Sequence, residues 1–251
     1  MERVTHGAAA VATVVEAAGP ARAVRPTTAA APRIAVGLWM AAVIAAAFLY
    51  APPARGFQNE ALARILFFHV PNSIIGTLAS AVSAWFALRY LWKRRWIDDV
   101  RSRALALQAM VFWLLTTLTG AVFAKVEWGA YWNWDPKQSA IFVLLLLYLA
   151  YFALRAGISD PSKQAAVAAA YMLFAALTTP FLTYILPNAT PQTLHPKGVI
   201  FSEDGLDARY KLIFWAAVIG WGAMSVWIYS LQVRLAKIER AVGMRIEKAV
   251  E

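Results

Sequence analysis

The chain has no cysteine. Disulfides, thiol redox relays and cysteine-based covalent attachment of a prosthetic group are all excluded. Histidine is nearly absent too: His6, His69 and His195 are the whole set. Charged residues make up only 15% of the sequence, and no acidic residue falls in the middle of an apolar run. So little charge excludes an ordinary soluble domain. What remains is 61% hydrophobic, gathered into blocks long enough to cross a bilayer, which takes about 20 residues as a helix. Six such blocks are expected, near 34–52, 70–92, 104–124, 139–155, 165–186 and 210–231. Lipid offers backbone groups no partner outside a helix or a closed barrel. The predicted fold is therefore an all-α integral membrane protein with six transmembrane helices.

The net charge of +10 invites a nucleic-acid reading, but the placement of the charges opposes it. With six crossings both termini share one face. Of the 24 Lys and Arg residues, 17 fall on that face and seven on the other. This bias predicts cytoplasmic termini and explains the basic balance by topology and attraction to anionic lipid. Residues 1–33, with Pro20, Pro26 and Pro32, are expected to form a flexible cytoplasmic tail. Residues 34–231 form the membrane domain. Residues 232–251 alternate Leu235, Ile238, Ala241 and Ile246 with Arg234, Lys237, Arg240 and Arg245, the pattern of a cytoplasmic amphipathic helix.

Three connections face outward. The first, 53–69, carries Arg55, Arg64 and His69. The second, 125–138, contains Trp128-Gly129-Ala130-Tyr131-Trp132-Asn133-Trp134-Asp135-Pro136-Lys137-Gln138. The third, 187–209, carries His195-Pro196-Lys197 and the acids Glu203, Asp204 and Asp207. Tryptophan gathers at membrane interfaces because its ring is amphipathic, which accounts for Trp92, Trp96, Trp215 and Trp227. It does not account for Trp128, Tyr131, Trp132 and Trp134 clustered around Gly129 and closed by Asp135-Pro136. Such flat rings suit a large flat ligand. Taken singly, His69 or His195 reads as a hydrogen-bonded interface residue. Together they offer two imidazoles on the motif side, the ligand set of a six-coordinate haem iron, whereas His6 lies across the membrane. A ligating histidine needs a partner for its second ring nitrogen, and no residue in the sequence declares itself as that partner. Asp135 suits either an anchor for the loop or a ligand contact. Lys125 and Glu127 fit interface snorkelling as well as function. Arg55, Arg64, Lys137 and Lys197 are candidates for pairing with haem propionates. Pro180 predicts a kink in the fifth span.

The string WGAYWNWDP resembles the tryptophan-rich WWD signature of the haem-handling proteins of cytochrome c biogenesis. With six spans and one outer histidine on each side of the motif, the chain from about Ile34 to Leu231 is most similar to the haem exporter protein C (CcmC) family. That resemblance implies haem b held at the outer face of the bacterial inner membrane, with His69 and His195 as axial ligands. It places Trp128, Gly129, Tyr131, Trp132, Trp134, Asp135 and Pro136 against the porphyrin. It further implies a CcmE-like periplasmic haem chaperone as recipient, CcmA/CcmB-like ATP-binding cassette components and a small CcmD-like membrane subunit. The implied role is haem delivery, not enzymatic catalysis, and no catalytic residue is assigned. Tyr131 and the Asp135-Pro136-Lys137 ending are closer to the larger CcsA/ResC-like cytochrome c synthase components, which stand as the alternative. A non-haem permease and an assembly scaffold are the alternatives of another class.

Overall fold

The computed structural model describes residues 30–54, 57–195 and 205–250. Among them there is no strand, and six helices are long and apolar enough to cross a membrane. They are α1 (Ala30–Leu49), α2 (Leu66–Lys93, entered through a 3-10 turn at Leu62–Ile65), α3 (Trp96–Trp128), α4 (Pro136–Gly157), α5 (Pro161–Pro180, extended by a π turn at Phe181–Ile185 and a last turn at Leu186–Ala189) and α6 (Ala208–Val250). The all-α, six-span class expected from the apolar blocks is the observed one. Of the expected tail, residues 1–29 lie outside the described residues, and Ala30 already begins α1.

Helix α2 is the hub, packing on α3, α5 and α6, and its pairing with α3 is the most extensive in the bundle. Small residues make this close approach possible, since lipid is as apolar as the helices and supplies no hydrophobic drive between them. Ala79 and Ala87 of α2, Ala106 and Ala109 of α3, and Ala165, Ala168, Ala169 and Ala175 of α5 are all buried. They surround Trp113, Leu144, Tyr148, Tyr151 and Met172. A second cluster joins α1 to α6 and to the turn before α2, through Val43, Ala47, Ala63, Phe67, Tyr210, Ile213, Phe214 and Ala217. Gly220 of α6 belongs to this contact: a Cβ there would stand 2.5 Å from the Met40 sulfur.

Buried polar groups hold helix to helix. Ser83 donates to the Ser102 carbonyl at 2.7 Å, Ser80 pairs with the Tyr148 hydroxyl, and Gln108 links to Gln232 and Ser225. At the end opposite the motif, Arg94 turns the chain in the left-handed region (φ 52°) and starts α3 with Asp98 and Asp99 in its first turn. Acids there complement the helix dipole. Asp99 takes a two-pronged grip from Arg155 of α4 at 2.7 and 2.9 Å. Asp98, fully buried, lies 3.5 Å from Arg89 and 3.9 Å from Arg101. The α4–α5 turn forms where the sequence carries Gly157 and Asp160-Pro161. Asp160 caps α5 by accepting from the Lys163 N–H at 2.6 Å.

Two helices are irregular for identifiable reasons. Pro180 removes an N–H from the α5 ladder, and the backbone widens into the π turn directly after it. The segment expected as a separate amphipathic helix continues α6 without a break. At 43 residues α6 spans roughly 65 Å, about twice the hydrocarbon thickness, so its C-terminal part extends past the membrane. There Arg240 stacks over the Trp96 ring at 4.3 Å. The orientation expected from the charge bias is open to test: reporter fusions after Arg95 and after Pro196 should report opposite sides, with Arg95 cytoplasmic. Like signals from both positions would overturn that orientation.

Candidate functional site

The site is built where α3 ends. Gly129 terminates that helix in the left-handed region (φ 82°), a conformation glycine adopts without a steric penalty. Lys125 caps the terminus by donating to the Gly129 carbonyl at 3.0 Å, and its ammonium lies 5.7 Å from the Tyr131 ring centroid. Glu127 accepts from the Gln58 N–H at 3.0 Å, tying the first outer connection to the motif. Both residues therefore do more than snorkel. The motif loop then closes on itself through Gln138, which is buried. Its side chain accepts from the Asn133 N–H at 2.8 Å and donates to the Tyr131 carbonyl at 3.4 Å. Trp134 is held at φ 56°, a strained value for a bulky residue. The turn leaves Trp134 72% exposed and Tyr131 61% exposed, while Trp132 meets Trp134 edge-on at 5.9 Å and Phe142 at 6.3 Å.

Asp135 organises the rest. Its side chain is fully buried and uses both oxygens. Oδ1 accepts from the Lys137 N–H at 2.9 Å, which caps α4 with Pro136 in its first turn. Oδ1 also pairs with Nδ1 of His195 at 2.7 Å. Oδ2 accepts from the Leu194 N–H at 2.7 Å and the Thr193 hydroxyl at 2.9 Å. One carboxylate thus fixes the motif helix and the third connection together. Burial alone would push the Asp135 carboxyl up. The Leu194 and Lys137 N–H groups, the nearby His195 and the Thr193 hydroxyl outweigh burial and hold it below its ordinary value. His195 goes below its ordinary value as well: burial lowers it, and Lys137 adds to that effect against the raising influence of Asp135. Burial thus favours the neutral imidazole. Its Nδ1–H is committed to Asp135, so Nε2 carries the free lone pair.

His69 is not in the connection before the second span, where sequence reasoning placed it. It lies in the first turn of α2, because the helix begins at Leu66 and tolerates Pro71 near its N-terminus. Its ring packs against α3: Nδ1 is 3.1 Å from the Thr119 hydroxyl, and Gly120 leaves the space beside Cε1 that a Cβ would enter to 2.8 Å. A run of edge-on rings joins the three connections, Phe57 to Phe123 at 6.2 Å, Phe123 to Trp128 at 5.3 Å and Trp128 to His195 at 4.9 Å. Both candidate histidines and the aromatic loop are therefore assembled at one end of the bundle.

The candidate propionate partners divide. Lys137 lies within electrostatic reach of both His69 and His195. Arg64 instead donates to the Ala51 carbonyl at 3.3 Å and stands beside Tyr210. Arg55 and Lys197 fall outside the described residues. Sequence reasoning missed Gln138, Thr193, Thr119 and Gly120. A glycine interrupting an otherwise continuous apolar span after three threonines was the one signal available for the last two.

The model of one family, described as heme exporter protein C, matches residues 13–250. The chain belongs to that family. It is 29% identical over 240 residues to the heme exporter protein C of Bradyrhizobium diazoefficiens, an alignment covering 92% of this chain and 87% of that one. The Paracoccus denitrificans protein of the same name is 27% identical over 60% of this chain and 62% of its own. The Escherichia coli K12 protein is 30% identical over 51% of this chain and 52% of its own. With six spanning helices, membership of this family makes the chain a multi-pass protein of the bacterial inner membrane. The WWD loop, Asp135 and both histidines lie inside the matched segment.

The Asp135 clasp has a measurable cost when broken. Asp135→Ala removes a helix cap worth about 1 kcal/mol and charge-assisted bonds worth about 1.5–3 kcal/mol. It should lower the melting temperature in detergent and open the 190–207 connection to protease. Asp135→Asn retains an acceptor for the cap and should fall between the variant and the parent. Equal protease resistance in all three would show that the carboxylate does not fasten that connection.

Proposed function

We propose that this protein holds haem b at the outer face of the inner membrane and exports it to the cytochrome c maturation machinery. The observation that carries this reading is the commitment of His195 Nδ1 to Asp135, which leaves Nε2 as a metal donor beside the half-buried Trp128 ring, in the loop that also carries the exposed Tyr131 and Trp134. Carboxylate–imidazole pairing is the usual support of a metal-ligating histidine. Both histidines also pack on the motif end of the same helix, His69 at Gly120 and His195 at Trp128 of α3, which supports their serving one ligand.

In this reading His69 and His195 are the axial ligands. Trp132, Trp134 and Tyr131 offer flat contact area, Trp128 packs against the His195 ring, and Lys137 supplies positive charge for a propionate. Gly129 and Pro136 shape the two ends of the loop. Bound haem supplies no chemistry that this chain must catalyse; it is cargo, and the protein is a transport component. The aromatic edge is open to solvent, as delivery to an acceptor requires. By family resemblance that acceptor is a CcmE-like periplasmic chaperone, with CcmA-, CcmB- and CcmD-like proteins completing the assembly. Family membership favours this role over the synthase alternative.

An absorption spectrum tests the proposal directly. The purified protein should show a low-spin, bis-imidazole b-type haem. His69→Ala and His195→Ala should each lower haem content or convert the spectrum to high spin, and added imidazole should restore part of the low-spin signal. His6→Ala should change nothing. Replacing Trp128, Trp132 and Trp134 together by Ala should weaken haem retention while the helical content stays the same. An unaltered haem spectrum in the His69→Ala, His195→Ala double variant would rule the assignment out.

A further inference from the structure

The two histidines are held by chemically different partners, and the His69 partner has a determinable proton arrangement. Thr119 lies on α3 with its hydroxyl 2.7 Å from the Leu115 carbonyl and 3.2 Å from the Thr116 carbonyl. A carbonyl only accepts, and a hydroxyl has a single proton to donate. That proton is used within the helix. The Thr119 oxygen then faces His69 Nδ1, at 3.1 Å, with its lone pairs only. A hydrogen bond across that contact requires the proton to be on Nδ1.

We propose that Thr119 is a positioning residue for His69. It selects the Nδ1–H tautomer and so presents the Nε2 lone pair as a metal donor, while Gly120 provides the recess in which the ring lies. Free imidazole side chains have two accessible tautomers, and the hydrogen bond made by one nitrogen decides which one the other presents. The Gly120 recess fixes the ring's location, since a Cβ at that position would meet Cε1 at 2.8 Å and force the ring to shift. Asp135 does the corresponding work for His195 with a full negative charge. The two donors are consequently unequal. His195 is the more basic, because a carboxylate partner strengthens its imidazole, and His69, backed only by neutral groups, the Thr119 hydroxyl and the Thr116 carbonyl, is the weaker base.

This inference rests on the proposed haem site but has a readout independent of haem. With only three histidines, 15N NMR of histidine-labelled protein in nanodiscs can follow each ring, and His69→Ala assigns the resonance. In the parent protein, the His69 Nδ1 should be protonated and its Nε2 unprotonated. Thr119→Val has nearly the same shape but lacks the acceptor, leaving only the Thr116 carbonyl beside the ring; it should lower the population of the Nδ1–H form, and Thr119→Ser should keep the parent pattern. On haem loading, Thr119→Val should weaken affinity about tenfold or more, the usual scale for losing such a partner. Its spectrum should be mixed-spin, with Thr119→Ser again close to the parent. Gly120→Ala should displace the ring and lower the low-spin fraction with Thr119 intact. Unchanged melting temperatures in the Thr119 variants separate positioning from folding. An Nε2–H tautomer in the parent, or a Thr119→Val protein with parental tautomer and spectrum, would overturn the inference while leaving the ligand assignment standing. A haem spectrum indifferent to His69→Ala would instead overturn the ligand assignment.

Discussion

The buried carboxylate of Asp135 is the constraint on which the motif end depends. A charge with no solvent exposure is costly unless its lone pairs are satisfied. Here four donors converge on two oxygens: the Lys137 and Leu194 N–H groups, the Thr193 hydroxyl and the His195 imidazole. Lys137 is two residues from Asp135 in sequence, whereas the other three donors are 58 to 60 residues away. Removing the charge from water is therefore compensated only if α4 and the third connection meet in one arrangement. The same demand that makes the aspartate expensive makes the position of His195 definite. Lys137 serves the arrangement twice, since its N–H is held by the carboxylate and its ammonium lies within electrostatic reach of His195.

The opposite end of the bundle solves a similar problem with different chemistry. Asp98 and Asp99 begin α3, where the helix dipole favours them, and guanidinium groups from α2, α3 and α4 neutralise them. Between the ends, polar side chains such as Ser83, Ser102, Gln108 and Gln232 bond from helix to helix. Their use as interhelical links is what a packed bundle requires, and it weakens the case for the polar pathway of a permease. The bundle is clamped at both ends but exposes the Tyr131 and Trp134 rings at one of them.

The six spans were legible because their signal is crude: long apolar blocks separated by Gly, Pro and charge, read against a bilayer of fixed thickness. Helix ends were less so. Nothing local told that α2 starts before His69, since the preceding turn of 3-10 helix is as apolar as the loop it replaces. The continuity of α6 past residue 231 was hidden for the opposite reason. Its periodicity is that of an amphipathic helix, and a change in the helix's surroundings does not require a break in its backbone. At the site, the residues that carry chemistry announced themselves by type and clustering, because His is scarce in this sequence and Trp, though abundant, crowds into the motif loop. Their supports did not. Thr119, Gly120, Gln138 and Thr193 are common residues whose roles come from contacts made across the fold, and Asp135 as the partner of His195 is a relation over 60 positions. Local patterns do not encode such pairs.

The aromatic loop also shows why a sequence optimised only for stability would look different. Trp134 occupies a left-handed conformation that costs of order 1–3 kcal/mol for a non-glycine residue, and the strain is retained by the Gln138 and Ser139 side chains that hold the turn. Glycine at that position would relieve the backbone but delete the ring. The fold keeps the ring and leaves it exposed. The arrangement makes physical sense if the exposed face is covered when a large apolar ring system occupies it, and if that cover is temporary. A tightly enclosed pocket would retain its cargo. On the proposed haem reading, a strained, open platform beside the two imidazoles would bind through the metal and release through the open edge.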